Sequence, residues 1–430
     1  AAGIAEEAAT PDFSWRQGYE KAAPAGINAG CAWALAGGAG GRARIVDIEY
    51  SFNPDHEDLP AVPVVAGVMY SRNDSVWGTD HGTAVLGELA GVNNGYGIRG
   101  IAFASTVSFV SPCNDTLSCY SYNPATAVNA ARLATAPGDV ILLEQQANAC
   151  GYGNDEYGPI EWIPSVHDAI TVATAARRIV VEAAGNGPVD LDAAACGGAF
   201  DRATRDSGAI IVGAGAPPGY SQADRSRLYF SSYGSRLDLQ GWGVNVVTAG
   251  YGDLYGDPGS NQSYTVSFNG TSSAAPIVAG AAALLSSISQ QRGMLLTPAR
   301  IRSLLASTGT PQQDGGGFPA SQRIGPRPNL KKAIAEMERP RTLSPAGAVA
   351  DATPTYRWTQ VPGATRYQIE VRRGGARLFG AIVQAASCIA GACSVTPARA
   401  LVEGAHSWRA QAYLSGWKAW SAPRGFSVAP

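Results

Sequence analysis

The sequence predicts an α/β protein built on a doubly wound, mainly parallel sheet, with a small β-sandwich after it. Three observations carry that expectation. Short β-branched or apolar runs at 43–48, 107–110, 140–143, 179–181 and 209–212 alternate with helically spaced stretches at 125–134 and 162–177, as parallel strands with crossover helices do. The run 277–285 is small or apolar on every side, so it reads as a buried helix. Beyond Arg339-Pro340-Arg341-Thr342-Leu343-Ser344-Pro345 the apolar period becomes two, in Tyr356-Arg357-Trp358, Tyr367-Gln368-Ile369-Glu370-Val371, His406-Ser407-Trp408-Arg409-Ala410 and Phe426-Ser427-Val428, with Gly, Pro and Ser turns between them. The expected division is a first domain over 1–338, a linker over 339–345 and a second domain over 346–430.

Composition narrows the class. A chain of 430 residues, 45% hydrophobic and 15% charged, can bury a large core in two or three domains and is not disordered. Its net charge of −2 argues against nucleic acid or an acidic membrane surface as the main partner. No run reaches the roughly 18 apolar residues of a membrane span. The opening Ala1-Ala2-Gly3-Ile4-Ala5-Glu6-Glu7 has neither a basic region nor an apolar core, so no signal peptide is read there and the chain is taken as a processed form. None of the seven Cys has zinc-ligand spacing, and no metal site is assigned. The close pairs Cys113 with Cys119 and Cys388 with Cys393 suggest local disulfides, hence an oxidising compartment.

Taken in order, residues 1 to about 25 form an arm. A Gly-rich turn leads into the strand 43–48, which places Asp47 near the carboxyl end, where sites gather in open α/β sheets. His56, Glu57 and Asp58 read as a solvated loop, with a metal role as the less favoured alternative for a single His with acids. In Gly78-Thr79-Asp80-His81-Gly82-Thr83-Ala84-Val85-Leu86-Gly87 a His opens a small-residue helix. Strand 140–143 runs on into Glu144-Gln145-Gln146-Ala147-Asn148, and strand 179–181 into Ala183-Ala184-Gly185-Asn186-Gly187. The stretch Phe268-Asn269-Gly270-Thr271-Ser272-Ser273-Ala274-Ala275-Pro276 is a tight turn feeding the buried helix, with Pro276 suited to a first helical turn. Ser272 then lies near the positive end of the helix dipole, where an oxyanion would be stabilised; a plain Ser/Thr helix cap is the other reading of the same residues. Helices at 298–307 and 329–337 close the domain.

The order Asp, His, Ser, with Gly270-Thr271-Ser272-Ser273-Ala274-Ala275-Pro276, His81-Gly82-Thr83-Ala84-Val85 and Ala183-Ala184-Gly185-Asn186, resembles the subtilisin-like serine proteases from about residue 26 to about residue 337. The resemblance implies a secreted serine endopeptidase acting on protein or peptide substrates as a monomer, through an acyl-enzyme. It implies Ser272 as nucleophile, His81 as general base and then acid, Asp47 as the group orienting His81, and Asn186 with the Ser272 N–H as oxyanion donors. Glu144, Gln145, Gln146, Ala183 and Gly185 would line the substrate site, where the family typically has Ser-Leu-Gly-Gly in place of the first of these segments. A carboxylate of Glu144 facing the pocket would favour a basic P1 side chain; facing away, it would leave Gln145 or Gln146 as the wall. The resembled fold sets the strands before Cys150 and Cys196 side by side, which pairs these two and leaves Cys31 over as a buried thiol. No cofactor is required for the chemistry; subtilases often carry structural calcium, and Asp190 and Asp192 offer two carboxylates without a full ligand set. The C-terminal pattern resembles a fibronectin type III-like module. Intact motifs count against a catalytically dead binding protein, and the triad order counts against an α/β-hydrolase.

Overall fold

In the computed structural model, residues 10–69, 78–116, 119, 121–151, 153, 155–256 and 258–429 are described. The opening residues read as the start of a processed chain lie outside them. The chain forms two compact units, one running to Gln291 and including Leu295–Lys331, the other comprising Arg292–Met294 and the chain from Lys332 onward.

In the first unit, α1 (Ala29–Trp33) precedes β1 (Ile45–Ile48), β2 (Val64–Ala66), α2 (Thr79–Ala90), β3 (Val107–Val110), α3 (Pro124–Ala134) and β4 (Val140–Leu143). Then follow β5 (Gln146–Asn148), β6 (Tyr157–Pro159), α4 (Pro164–Ala175), β7 (Ile179–Ala183), β8 (Ile210–Gly215) and β9 (Leu239–Trp242). The unit continues with β10 (Val246–Ala249), β11 (Tyr264–Phe268), α5 (Thr271–Gln291) and α6 (Pro298–Thr308), and α7 (Leu330–Met337) follows. Seven strands make one sheet in the order β2-β3-β1-β4-β7-β8-β9, and every pairing in it is parallel. Val46, Ile48, Ile141 and Leu143 face one side, where α3 and α4 cover them with Val128, Val166 and Ile170. By the period of two, Asp47 and Leu142 point to the opposite side, which α2 and α5 cover. The α5 helix is long and apolar enough to cross a membrane, with a mean hydropathy of 1.4 over its best window, but that window is wholly buried in the unit's core.

Several expectations need correction. Pro276 lies inside α5, past its first turn; there its missing N–H leaves the Ser272 carbonyl without an i→i−4 partner. The loop read as solvated is buried at His56 and Asp58. His56 Nε2 meets the Ser263 carbonyl at 2.8 Å, and Asp58 accepts from the Ile98 N–H at 2.6 Å. The arm is part of the unit: Tyr19 is fully buried and donates to the Val247 carbonyl at 3.0 Å. Disulfides join Cys113 to Cys119, Cys150 to Cys196 and Cys388 to Cys393. Cys31 is free but exposed, because α1 turns that face outward.

The second unit has β12 (Thr342–Ser344), β13 (Gly347–Val349), β14 (Tyr356–Thr359), β15 (Arg366–Arg373), β16 (Ala376–Gln384), β17 (Ala392–Val395), β18 (Gly404–Tyr413) and β19 (Arg424–Val428). They form a three-stranded sheet β12-β14-β17 and a five-stranded sheet β13-β19-β18-β15-β16. Trp358, Trp408, Tyr367 and Ile369 share the core of this β-sandwich. The stretch expected as a linker is therefore structured. Thr342 pairs with Trp358 in β14, and Trp408 Nε1 donates to the Pro345 carbonyl at 3.1 Å.

A buried ionic cluster braces the far end of the first unit's sheet. Arg236 is fully buried and pairs with Glu161 at 3.2 Å and Asp238 at 3.0 Å, and it also donates to the Ala209 carbonyl at 3.2 Å. Removing one member of such a cluster strands the others in low dielectric. Arg236→Leu is expected to lower stability by about 3–5 kcal/mol, read from the urea midpoint at constant slope.

Candidate active site

The site forms where β1, β4 and β7 end at the sheet's carboxyl edge, under the N-terminal turns of α2 and α5. His81 is the third residue of α2. Gly82 lets that helix come close: a Cβ there would lie 2.1 Å from the Ser51 carbonyl oxygen and 2.9 Å from Glu49 Cγ. His81 Nδ1 therefore reaches Glu49 Oε2 at 2.6 Å, the length of a charge-assisted bond. The Glu49 side chain is 1% exposed and that of His81 25%. Phe268 meets the imidazole edge-on at 5.5 Å and fixes its plane. Burial works against the imidazolium, but the Glu49 charge and hydrogen bond outweigh it, so the His81 pKa rises above its ordinary value.

The expected orienting acid, Asp47, is not the residue that meets His81. Asp47 is fully buried and neither carboxyl oxygen has a hydrogen-bond partner. Burial first, and the Glu49 charge second, push its pKa well up, which favours its neutral form. The reason is positional. Asp47 lies within β1, level with Leu142, whereas Glu49 is the first residue past the strand and emerges at the carboxyl edge. Both are on the same face by the period of two, and the sequence signal for Glu49 was the end of the apolar run at Ile48.

Ser272 is the second residue of α5, so its N–H has no intrahelical acceptor. Gly270, at φ +99°, makes the turn before it, and a Cβ there would meet Asn186 Nδ2 at 3.2 Å. Asn186 Oδ1 accepts from the Thr271 N–H at 2.8 Å and the Thr271 hydroxyl at 3.0 Å. Because a backbone N–H can only donate, this fixes the amide orientation and leaves Nδ2 as the donor end. Ser272, His81, Glu49 and Asn186 line one cavity of about 400 Å3. Among the described residues, the His81 side chain's hydrogen bond is the one to Glu49, and a bond from a serine to its base commonly tightens only when substrate is bound.

The substrate-segment residues divide. Glu144, Gln145 and Gln146 line the cavity. Gln145 Nε2 donates to the Ile48 carbonyl at 2.8 Å, and Gln146 Oε1 accepts from the Asn186 N–H at 2.8 Å, so both brace the site's framework. Ala183 and Gly185 are buried and outside the lining; Gly185 N–H donates to Thr271 Oγ1 at 3.2 Å. Among the described residues no group of three or more His, Cys, Asp or Glu could hold a metal ion. Asp192 instead accepts from the Ser235 hydroxyl at 2.7 Å, and Asp190 from the Asp192 N–H at 3.1 Å.

The two acids are separable by substitution. Glu49→Gln is expected to cut kcat by roughly 10⁴-fold, through loss of tautomer control and of the charge facing the imidazolium. Asp47→Asn exchanges one neutral buried group for another and should leave kcat within about tenfold. The raised His81 pKa places the acid limb of kcat/KM above the ordinary imidazole value, since the base must be neutral; in Glu49→Gln the residual activity should show that limb at lower pH. Equal losses in the two variants would return Asp47 to the site.

Known proteins agree with this architecture. Subtilisin Savinase of Lederbergia lenta is 28% identical over 293 residues, covering 67% of this chain and 88% of its own length. Subtilisin E of Bacillus subtilis is 28% identical over 296 residues, covering 68% of this chain and 67% of its own length. A protease structure from Pseudoalteromonas arctica superposes with a TM-score of 0.53 at 22% identity, over 76% of this chain and 99% of that one, a likeness of fold. Residues 47–325 match the Subtilase family, and on that match the chain belongs to this family and is a subtilisin-like serine peptidase.

Proposed function

We propose that the protein is a secreted endopeptidase that hydrolyses protein or peptide substrates through Glu49, His81 and Ser272. The observation that carries this is the 2.6 Å pairing of His81 Nδ1 with a buried carboxylate, inside the cavity that also holds Ser272 and Asn186. With Nδ1 committed to Glu49, Nε2 is the ring nitrogen left to act as base. It takes the proton of Ser272 as Oγ adds to the scissile carbonyl carbon. The oxyanion so formed accepts from the Ser272 N–H and Asn186 Nδ2. His81 then protonates the leaving amine, the C–N bond breaks, and an ester on Ser272 remains. Water, deprotonated by the same nitrogen, cleaves that ester and returns the proton to Ser272. Base, nucleophile and oxyanion donors all belong to the chain, so this sequence of steps needs no cofactor. Three disulfides support an oxidising, extracellular setting. The alternating strands and Trp-centred core of the second unit support a fibronectin type III-like module, and we propose that the protein acts as a monomer.

Ser272 is expected to be the residue labelled by a fluorophosphonate, located by peptide mass spectrometry. Ser272→Ala should stay folded and lose labelling together with nearly all cleavage of a peptide library. Labelling elsewhere, or cleavage that survives the substitution, would defeat the assignment.

A further inference from the structure

Glu144 occupies a place that the steps above do not use. It is the first residue past β4, as Glu49 is the first past β1, and the two strands are in register with Ile48 opposite Leu143. The two glutamates therefore emerge side by side, on the face that also carries Asp47. Glu144 is 5% exposed and lines the cavity with Ser272. Neither of its oxygens has a well-formed hydrogen bond, and the Ser272 hydroxyl is the neighbour that favours its ionised form. The titratable groups around it are Asp47 and Glu49 from β1 and its end, Tyr50 just after them, His81 and Glu88 from α2, and Tyr251 after β10; α5 contributes the Ser272 hydroxyl and no charge. Among the described residues no Arg or Lys lines this cavity.

Acids this close cannot all be ionised in a buried site without cations. Glu49 has the imidazole as its partner, and Glu144 has none. Burial first, then the Asp47 and Glu49 charges, push the Glu144 pKa well above the ordinary carboxyl value, against the weaker pull of Ser272.

We propose that Glu144 is a positioning residue for the nucleophile, acting as a neutral acid that donates its proton to Ser272 Oγ and so leaves the serine's own proton for His81 Nε2. Once it is a carboxylate, it accepts that serine proton's hydrogen bond itself and turns Ser272 away from the base. The proton released goes to solvent. The carboxylate would also face the oxyanion as it forms. Deprotonation of Glu144 thus switches the nucleophile off as pH rises. This rests on Ser272 and His81 working as proposed above.

The test follows the rate of fluorophosphonate reaction with Ser272, and kcat/KM on a short peptide, across pH in the wild type and in Glu144→Gln. The carboxamide keeps a neutral donor and cannot titrate. The wild type should show an alkaline limb in both rates. Glu144→Gln should lose that limb, or move it up by more than about one pH unit, whatever the height of its plateau. A wild type without an alkaline limb overturns the proposal, whether or not the variant folds. So does a limb shared unchanged by the variant, or a folded variant slowed equally at every pH, which is what a merely structural role would give. A wild-type Ser272 that reacts at no pH would instead defeat the underlying assignment of the nucleophile.

Discussion

The contact between Glu49 and His81 is the constraint that the rest of the site accommodates. A carboxylate with 1% of its side chain exposed is costly to hold ionised, and a hydrogen-bonded imidazole at 2.6 Å offsets that cost. The contact needs α2 almost against the turn after β1. That approach in turn needs a residue without a side chain at Gly82 and a small-residue helix face behind it, with Ala84, Val85 and Ala90 buried. The helices on this face are accordingly poor in large side chains: α5 buries Ala274, Ala275, Ala279, Ala281, Ala282 and Ala283 along its length. Small residues bring helix backbone close to sheet, and the closeness is what sets His81 and Ser272 over the strand ends.

The side proposed to meet the oxyanion is held by a different device. Asn186 has its amide fixed by Thr271 and its backbone N–H fixed by Gln146 Oε1, so its donor end is preset before any substrate arrives. The disulfide between Cys150 and Cys196, 46 residues apart, closes the loop that carries this residue. A cross-link of that span removes freedom mainly from the unfolded chain, on the entropic account, and it also restrains the segment locally. Preset donors are worth most where little reorganisation accompanies the reaction. The price is a rigid site, with its framework spread over β4, β7 and α5.

The strand at 140–143 could be read from sequence because it is a fully apolar run, and that at 107–110 because Ser108 alone interrupts its apolar residues; a buried parallel strand leaves little other pattern. The turn before Ser272 could be read because Gly270 and the small residues after Ser272 serve one geometry. The acid could not be chosen by face, since Asp47 and Glu49 share one; depth along the strand decides, and a sequence does not show where the sheet's edge falls to within two residues. Pro276 was misplaced because proline usually marks a first turn, whereas α5 begins at Thr271. In the second unit β16 escaped notice because it is half exposed and interrupted by Gly380, so its alternation is weak. The segment 342–344 looked like a linker for the same kind of reason: three residues with flanking prolines make a strand only because Trp358 pairs with them.

Charge balance connects these pieces. Burial pushes the pKa of Asp47 and of Glu144 well up and so favours their neutral forms beside the Glu49–His81 pair. On the proposed steps, when His81 takes the serine proton the Glu49–imidazolium pair becomes neutral overall, and the new oxyanion adds a negative charge to the cavity. The α5 N-terminus, the Ser272 N–H and Asn186 Nδ2 are all arranged to meet it. A further carboxylate about 4 Å from that oxyanion would cost about 4 kcal/mol at an effective dielectric near 20, or roughly a thousandfold in rate. Burial of Asp47 and Glu144 without cations works against that by favouring their protonated forms. A buried carboxyl group is usually a liability, but here desolvation supplies the neutrality that the reaction requires. The same reasoning explains why a guanidinium such as Arg236 belongs at the far end of the sheet and not here. A cation beside Asp47 or Glu144 would ionise them both and set two carboxylates against every oxyanion the enzyme makes.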